Sequence, residues 1–493
     1  VQSVDYHAIL PILILGATIL VVLVVDAFIP FRFKWFAMPL SLFGVVATLV
    51  ADLTLLGDTR STFGGHYVVD NFTLLFQIFF LSVAVVVLAL SLRYFREGGF
   101  YQGEYYFLLL TSFLGCVMMP ASRDLLMLFI SLELVSAPGF LMSAFRKADV
   151  KGNEGGIKFF IIGVLSTAVM LYGMSMIYGL TGATRLDAIA AGLAGLEGGQ
   201  LTLAYASIFF VVVGFAFKVS AVPFQFWAPD TYEGAPVPVA AFLAVASKAA
   251  GFAGLLQLMF VAFVGQYTFW VPLFAALSIL TMTVGNLVAL QQRQVVRLLA
   301  YSGIAQAGYM LLPFALVSSN VDTNATAFSA AVSYILIYGV MNLGAFAVTT
   351  AVSRRHPSLL ISDFSGLART APLLAVGMTV FMISLAGVPP TGGFWGKLLI
   401  FQAAIDRGGI GVALAIVMLV NSVVSIVYYF AIPRVMIFQE PEREEALSAS
   451  WLVNGVVGLA VVALLLIFIL PNFVARLGDI STLGGAVAGA SLP

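Results

Sequence analysis

Charge is the first thing this sequence lacks: 23 basic and 23 acidic residues among 493 make 9%, where roughly 25% is ordinary for a globular chain. A water-exposed surface cannot be covered with so few. The signs cancel, which excludes the basic field of a nucleic-acid binder and the acidic tail of a solvating one. Cysteine is almost missing as well. Cys116 alone, within an apolar run, allows no internal disulfide and no Cys-rich iron–sulfur or zinc cluster. No Walker A loop occurs, and the Gly-rich stretch from Gly192 to Gly199 lacks the strand-to-helix context of a dinucleotide fingerprint.

What is present is apolar. The hydrophobic fraction of 61% fits a chain whose solvent is mostly lipid, since each spanning helix needs about 20 apolar residues. Apolar runs between charged or Gly/Pro breaks are centred near residues 18, 46, 83, 112, 134, 167, 212, 250, 279, 306, 339, 388, 422 and 462. The expected fold is therefore an all-α integral membrane protein of about fourteen spans. Residues ahead of the first run carry Asp5 and no Lys or Arg, the wrong flank for a cleaved signal peptide, so the first run is expected to be a retained helix. No polar stretch is long enough for a soluble domain; residues 1–493 form one polytopic domain.

The distribution of basic residues tests the span count. With both termini outside, the inner loops carry Arg32, Lys34, Arg93, Arg96, Arg146, Lys147, Lys151, Lys158, Arg293, Arg297, Arg354, Arg355, Arg369, Arg434 and Arg443. The outer side has Arg60, Arg123, Arg185, Arg407 and Arg476. Lys218, Lys248 and Lys397 remain, each inside an apolar span.

A charged side chain at the centre of a spanning helix costs about 2.5–3.5 kcal/mol on insertion scales, so it is kept where a partner or water receives it. Glu133, in FISLELVSAPGF, stands ten residues from Arg123 and thirteen from Arg146, about 15 Å along a helix from its outer flank. It is open to a structural reading, as a helix–helix ion pair or an acid kept protonated. Lys397 lies nearer a span end and is open to snorkelling; Lys248, in VAAFLAVASKAAGF, is too deep for that. Lys158, at the start of the sixth span, is read as a solvated flank.

One carboxylate and three lysines inside apolar helices have the chemistry of a proton relay. Burial disfavours the charged form of an amine and a nearby carboxylate favours it, so loading can follow the separation of Glu133 and Lys218. Ser136, Ser247, Tyr301, Ser302, Gln306, Tyr338, Asn342, Thr391 and Tyr428 could hold water between these groups, or serve as interhelical hydrogen bonds. The histidines, His7, His66 and His356, fall near a terminus or in loops. Lysine must do what histidine often does.

Two spans are interrupted, the seventh at Pro223 and the twelfth at Gly387 to Gly393, GVPPTGG, which cannot form continuous helix. Broken helices at membrane depth usually line a cavity. Each has a lysine within about two turns and a Phe-Trp pair after it, Phe226-Trp227 and Phe394-Trp395. The breaks are five spans apart, and an odd repeat inverts successive copies. Spans 4 to 8, roughly 104–263, and 9 to 13, roughly 269–435, are the expected inverted five-helix repeats. The lysines fall on opposite sides of their breaks in sequence, which leaves two unrelated kinks as the other reading.

At these residues the sequence resembles the antiporter-like subunits of respiratory complex I, the proton-translocating NADH:quinone oxidoreductase, and related cation/proton antiporters. Fourteen spans, Glu133 in the fifth, Lys218 and Lys248 in the seventh and eighth, and VPPTGGFWGK with Lys397 in the twelfth carry the resemblance over almost the whole chain. Within the family the pattern most resembles the subunit N group: the chain is too short for subunit L with its lateral helix, and Lys397 stands where subunit M typically has a glutamate.

The resemblance implies roles by position, with Glu133 and Lys218 as the coupled entry pair, Lys248 as the connecting lysine and Lys397 as the exit group. It implies a bacterial plasma-membrane subunit beside antiporter-like subunit M and small subunits such as K, in contact with lipid. FMN, iron–sulfur clusters and quinone would belong to partner subunits, with no cofactor and no metal in this chain. Central histidines of some sister subunits are absent, so the stretch between Lys248 and Lys397 is expected to use water and hydroxyl groups. Two rival expectations stand beside this one: a subunit of a free-standing Na+/H+ antiporter, and a scaffold whose buried charges only fix helix packing.

Overall fold

The structure, a computed structural model, describes residues 4–98, 102–441, 447 and 449–481, with the side chains of Phe31, Arg32 and Gln102 left out. Arg443, counted among the inner basic residues, lies outside the described residues. Among the described residues, thirteen helices are long and apolar enough to cross a membrane. The fourteenth crossing expected from the sequence, the twelfth in order, is assembled from two shorter helices on either side of its break.

The chain runs through α1 (Tyr6–Phe28), α2 (Ala37–Leu53), α3 (Asn71–Glu97), α4 (Gln102–Met118), α5 (Leu125–Ser143) and α6 (Val150–Thr181). A short helix, α7 (Leu186–Leu193), precedes the broken seventh span, α8 (Gly198–Lys218) and α9 (Trp227–Gly234). The eighth span joins α10 (Val237–Phe242) to α11 (Lys248–Gln257) through a π-turn at Leu243–Ser247. Next come α12 (Tyr267–Ala289), α13 (Val295–Leu311), α14 (Val321–Ser353) and a single turn, α15 (Leu367–Thr370). The half-helices α16 (Pro372–Ala386) and α17 (Gly392–Arg407) form the broken twelfth span. The last three are α18 (Ile410–Phe438), α19 (Trp451–Ile469) and α20 (Pro471–Ile480).

Among the described residues, a strand pair departs from an all-helical chain. Arg60–Thr62 and Tyr67–Val69 pair as a small antiparallel hairpin, β1 and β2. Gly64 and Gly65 between them take positive φ, which glycine adopts without the Cβ penalty.

Helix starts follow the sequence closely. Asp5, Asp70, Asp124, Asp149, Asn320 and Ser450 cap α1, α3, α5, α6, α14 and α19, each side chain accepting from first-turn amides, which satisfies donors the helix itself cannot. Burial pushes the Asp124 carboxyl up, but hydrogen bonds from Thr184, His66, Met127 and Leu126 outweigh it and hold it below the usual carboxylate range.

Burial sorts the spans into centre and rim. Val237–Ala262 is wholly enclosed and Val295–Leu316 and Val321–Ser353 nearly so, while Tyr6–Phe28 and Trp451–Ile469 turn most of their side chains outward. The sorted basic residues also segregate in space. Arg60 pairs with Asp5 and Asp58, Arg123 with Asp70, and Arg185 donates to the Gly64 carbonyl, all around the hairpin. Lys151, Lys158 and Arg297 converge on α9 instead.

Small residues set the closest helix approach, as expected where lipid supplies no hydrophobic drive between helices. A Cβ on Gly285 of α12 would lie 2.5 Å from the Ala305 amide nitrogen of α13. Gly285→Ala is expected to lower the thermal stability of the detergent-purified protein by about 1–3 kcal/mol, the usual overpacking cost. Gly455→Ala, where a Cβ meets nothing within 4 Å, should leave it unchanged. Equal melting temperatures for the two variants would contradict this packing.

Candidate functional site

The seventh span stops being helical at Lys218 and resumes at Trp227. The interruption frees backbone groups, and the surroundings take them up. Thr281 Oγ1 accepts from the Val222 amide at 3.0 Å, and Trp227 Nε1 donates to the Phe217 carbonyl at 3.2 Å. Of the Phe-Trp pair seen in the sequence, Trp227 is buried and Phe226 exposed. Ser220 has a φ of 61°, and its hydroxyl is buried without a hydrogen-bond partner among the described residues.

Lys218, 2% exposed, donates from Nζ to Ser136 Oγ at 2.8 Å. Ser136 is three residues after Glu133 on α5 and so shares its face. Glu133 accepts from Thr167 Oγ1 of α6 at 3.0 Å. Carboxylate and amine are thus brought to the same stretch of α5, with no direct ion pair between them among the described residues; the Ser136 hydroxyl that takes the amine donates in turn to the Leu132 carbonyl. Thr167 was not among the polar neighbours expected from the sequence.

Lys248 opens α11 directly after the π-turn, a local distortion that recurs at functional positions in helices. It is 2% exposed, and its Nζ donates to the Gly303 carbonyl of α13 at 2.7 Å. Asn342 Nδ2 donates to Tyr338 OH at 2.7 Å, and that hydroxyl lies 3.0 Å from where a Gly303 Cβ would be. A side chain at position 303 would therefore press on Tyr338 and, at 3.2 Å, on the Lys248 amine.

From Gly303 a chain of hydroxyl and amide groups runs towards the twelfth span. Ser302 Oγ and Tyr429 OH share a hydrogen bond at 2.5 Å. Gln306 Nε2 donates to Tyr429 OH at 3.0 Å and to the Leu385 carbonyl at 2.9 Å, and Tyr334 OH donates to Gln306 Oε1. Beside it, Asn286 Nδ2 donates to Tyr309 OH at 3.1 Å, and Tyr428 OH donates to Asn286 Oδ1 at 2.9 Å.

Lys397 closes the series. It is 7% exposed, so it does not snorkel out. Its Nζ donates to the Ala386 carbonyl at 2.9 Å and sits 4.7 Å from the centroid of the Tyr309 ring, within cation–π range. Ala386 is the last residue of α16, and Gly387 after it takes a φ of 82°. The amine therefore lies at the negative end of a half-helix dipole. Lys218 is itself the last residue of α8. The lysines fall on opposite sides of their breaks in sequence, yet both amines belong to the C-terminal end of the first half-helix.

Ser136, Ser302, Gln306, Tyr338, Asn342 and Tyr428, expected from the sequence, do line this series, whereas Thr391 makes a local bond to the Val388 carbonyl. Tyr429, Tyr334, Tyr309 and Asn286 were missed. A signal existed: Ser302, Gln306 and Tyr309 are spaced i, i+4, i+7 on α13, and Tyr334, Tyr338 and Asn342 i, i+4, i+8 on α14, polar stripes along strongly apolar spans. Asp52 was missed too. It is buried in the last turn of α2, and neither carboxylate oxygen has a hydrogen-bond partner among the described residues. Lys158 is tied to Glu154 and Asp230, each at 2.6 Å, as suits a half-exposed flank. His7 and His66 bond to Thr54 and Asp124 outside this series.

Residues 122–425 match the family profile described as NADH:quinone oxidoreductase/Mrp antiporter, TM. NADH-quinone oxidoreductase subunit N of Trichlorobacter lovleyi is 41% identical over 444 residues, 90% of either chain. NAD(P)H-quinone oxidoreductase subunit 2 of Synechocystis sp. is 41% identical over 443 residues, 88% of this chain and 82% of that one. Among solved structures, a chain of respiratory complex I from Thermus thermophilus with bound aureothin is 31% identical with a TM-score of 0.79, covering 94% of this chain and 98% of that one. A chain of the Mrp complex from Dietzia sp. has a TM-score of 0.84 at 20% identity, covering 99% and 98%, which shows a shared fold.

Gln306 joins three partners in the hydroxyl–amide chain. Gln306→Leu would leave Tyr429, Tyr334 and the Leu385 carbonyl short of a partner, at about 1–3 kcal/mol per unsatisfied group. A clear fall in thermal stability in detergent is expected. An unchanged midpoint would mean that these groups re-pair, and that the chain is not held as described.

Proposed function

The chain belongs to the NADH:quinone oxidoreductase/Mrp antiporter transmembrane family, among its subunit N homologues, and from that premise we propose how its buried amines work. It is a non-redox, multi-pass membrane subunit of complex I that moves protons from the cytoplasm to the outside, driven by electron transfer in other subunits. FMN, iron–sulfur clusters and quinone belong to those subunits. Antiporter-like subunit M and small subunits such as K are its neighbours, in the bacterial plasma membrane, with both termini facing outwards. Segregation of the outer basic residues around the hairpin and of inner ones around α9 supports that sidedness.

The observation that carries the relay reading is the alignment of three buried amines, each donating to a neutral acceptor: a hydroxyl for Lys218 and backbone carbonyls for Lys248 and Lys397. An ammonium held this way has no fixed counter-ion in a medium of low dielectric, so its proton is easily displaced by a change in nearby charge. Glu133 and Lys218 form the entry pair. When the Glu133 carboxylate is close, the ammonium of Lys218 is favoured; when the carboxylate moves away, the amine is released from that field and passes its proton inwards. Lys248 receives it, and the hydroxyls of Ser302, Tyr429 and Tyr334, able both to accept and to donate, lead to Lys397 at the exit. The spans 104–263 and 269–435 act as two inverted repeats, each contributing one broken helix and one terminal amine.

The relatives at about 41% identity, named as quinone oxidoreductase subunits, favour this reading over a free-standing antiporter. Lys218→Ala and Glu133→Ala are each expected to lower the protons moved per electron in NADH-energised membrane vesicles, with the complex still assembled. An unchanged ratio in both assembled variants would remove the relay assignment, and lower assembly with unchanged pumping per complex would favour the scaffold.

A further inference from the structure

The half-helix α9 carries two acids, Asp230 and Glu233, three residues apart and hence on one face. Their four carboxylate oxygens each contact a cation, with three cations shared among them. Asp230 Oδ1 and Glu233 Oε2 both accept from Arg297 Nη1, each at 2.7 Å. Asp230 Oδ2 takes Lys158 at 2.6 Å, and Glu233 Oε1 takes Lys151 at 2.8 Å. Around them, Glu154 pairs with Lys158, and Arg146 pairs with Asp149 and donates to the Gly234 carbonyl at 2.8 Å. α9 is therefore cross-braced, to α6 through the lysines and to α13 through the arginine.

Arg297 is the least expected of these groups. It stands in the first turn of α13, where the helix dipole disfavours a cation, so its place is justified by the two acids it bridges. Its two neighbourhoods matter more. At one end of the brace, α9 hangs from the non-helical segment 219–226 that begins beside Lys218. At the other, α13 carries Gly303, the acceptor of Lys248, six residues on from Arg297 and so about 9 Å along the helix.

Resting on the relay reading above, we infer that Arg297 is a positioning residue: it locks α9 to α13, so that the break beside Lys218 and the carbonyl that receives Lys248 keep a fixed register. On the α6 side α9 has further holds, since Thr231 Oγ1 donates to the Gly155 carbonyl at 3.0 Å and Trp227 stacks on Phe159; towards α13 the ionic tie is the Arg297 bridge. Without that bridge, α9 keeps its hold on α6 but shifts against α13, and the distance a proton must cross between the two lysines changes.

The test uses the whole purified complex with Arg297→Gln, Arg297→Lys, Asp230→Asn and, as reference, Lys218→Ala. Hydrogen exchange over 219–234 reports opening of the segment directly, and proton-to-electron ratio in vesicles reports the relay. Arg297→Gln is expected to speed exchange in 219–234 and lower the ratio while NADH oxidation continues. Arg297→Lys, which keeps the charge, is expected to restore both. If Arg297→Gln blocks assembly, Asp230→Asn, isosteric and missing one arm of the bridge, should show the same pair of changes. Wild-type exchange and ratio in the assembled Gln or Asn variant overturn the inference, as does a Lys variant no better than Gln. Because Lys218→Ala is measured alongside, an unchanged ratio there marks failure of the relay reading; a lowered ratio there beside wild-type behaviour at 297 confines the failure to this inference.

Discussion

The structure depends on where an amine can be kept when almost nothing around it carries a charge. Three lysines lie buried inside the helical bundle, and a lone ammonium in hydrocarbon costs several kcal/mol unless something receives it. What receives it here is dipolar rather than ionic. A serine hydroxyl, the carbonyl of a glycine in an intact helix and the terminal carbonyl of a half-helix take the three amines in turn. Dipoles of that kind ease a cation without trapping it, whereas a direct carboxylate partner would hold the proton in place.

Each of these lysines also stands beside a distortion. An unbroken α-helix spends its carbonyls on its own amides, and Lys397 finds its acceptor where such a ladder stops, at the Ala386 carbonyl before the turn at Gly387. Lys218 stands at the break of its own span and Lys248 follows a π-turn, while their acceptors, the Ser136 hydroxyl and the Gly303 carbonyl, belong to other helices, α5 and α13. Irregular backbone at membrane depth is tolerable only when it is enclosed by protein, and the wholly buried central spans supply the enclosure. The apolar rim helices, by contrast, are regular and carry no buried amine.

The same logic separates the two kinds of charge cluster. At the ends of the bundle, where water and side-chain freedom are at hand, acids and bases pair directly, as Arg60, Arg123 and Arg297 do with their carboxylates. In the interior no lysine is paired that way among the described residues. Direct pairs fix geometry, and interior amines on neutral acceptors stay responsive. A chain that transmits a change of charge needs both, a stiff frame and a soft line through it.

Much of this could be read without coordinates. Span number, the enclosed position of Lys218, Lys248 and Lys397, the place of Glu133 within a span, and the two breaks follow from hydropathy, charge and proline placement, because the cost of a charge or an unsatisfied amide in lipid is large and local. Family membership could be read too, from the combination of those residues. The tertiary structure alone decided the partners. Thr167 on Glu133, Gly303 on Lys248 and Ala386 on Lys397 come from other elements or across a break, and hydropathy carries no information on which helices meet. Asp52, Tyr309, Tyr334 and Tyr429 were passed over because a residue near a span end, or an aromatic in an apolar run, looks the same whether it faces lipid or a buried polar chain. The acids of α9 were hidden for the opposite reason: in sequence they look like a solvated turn, and only the folding of α6 and α13 around them turns that short stretch into a brace.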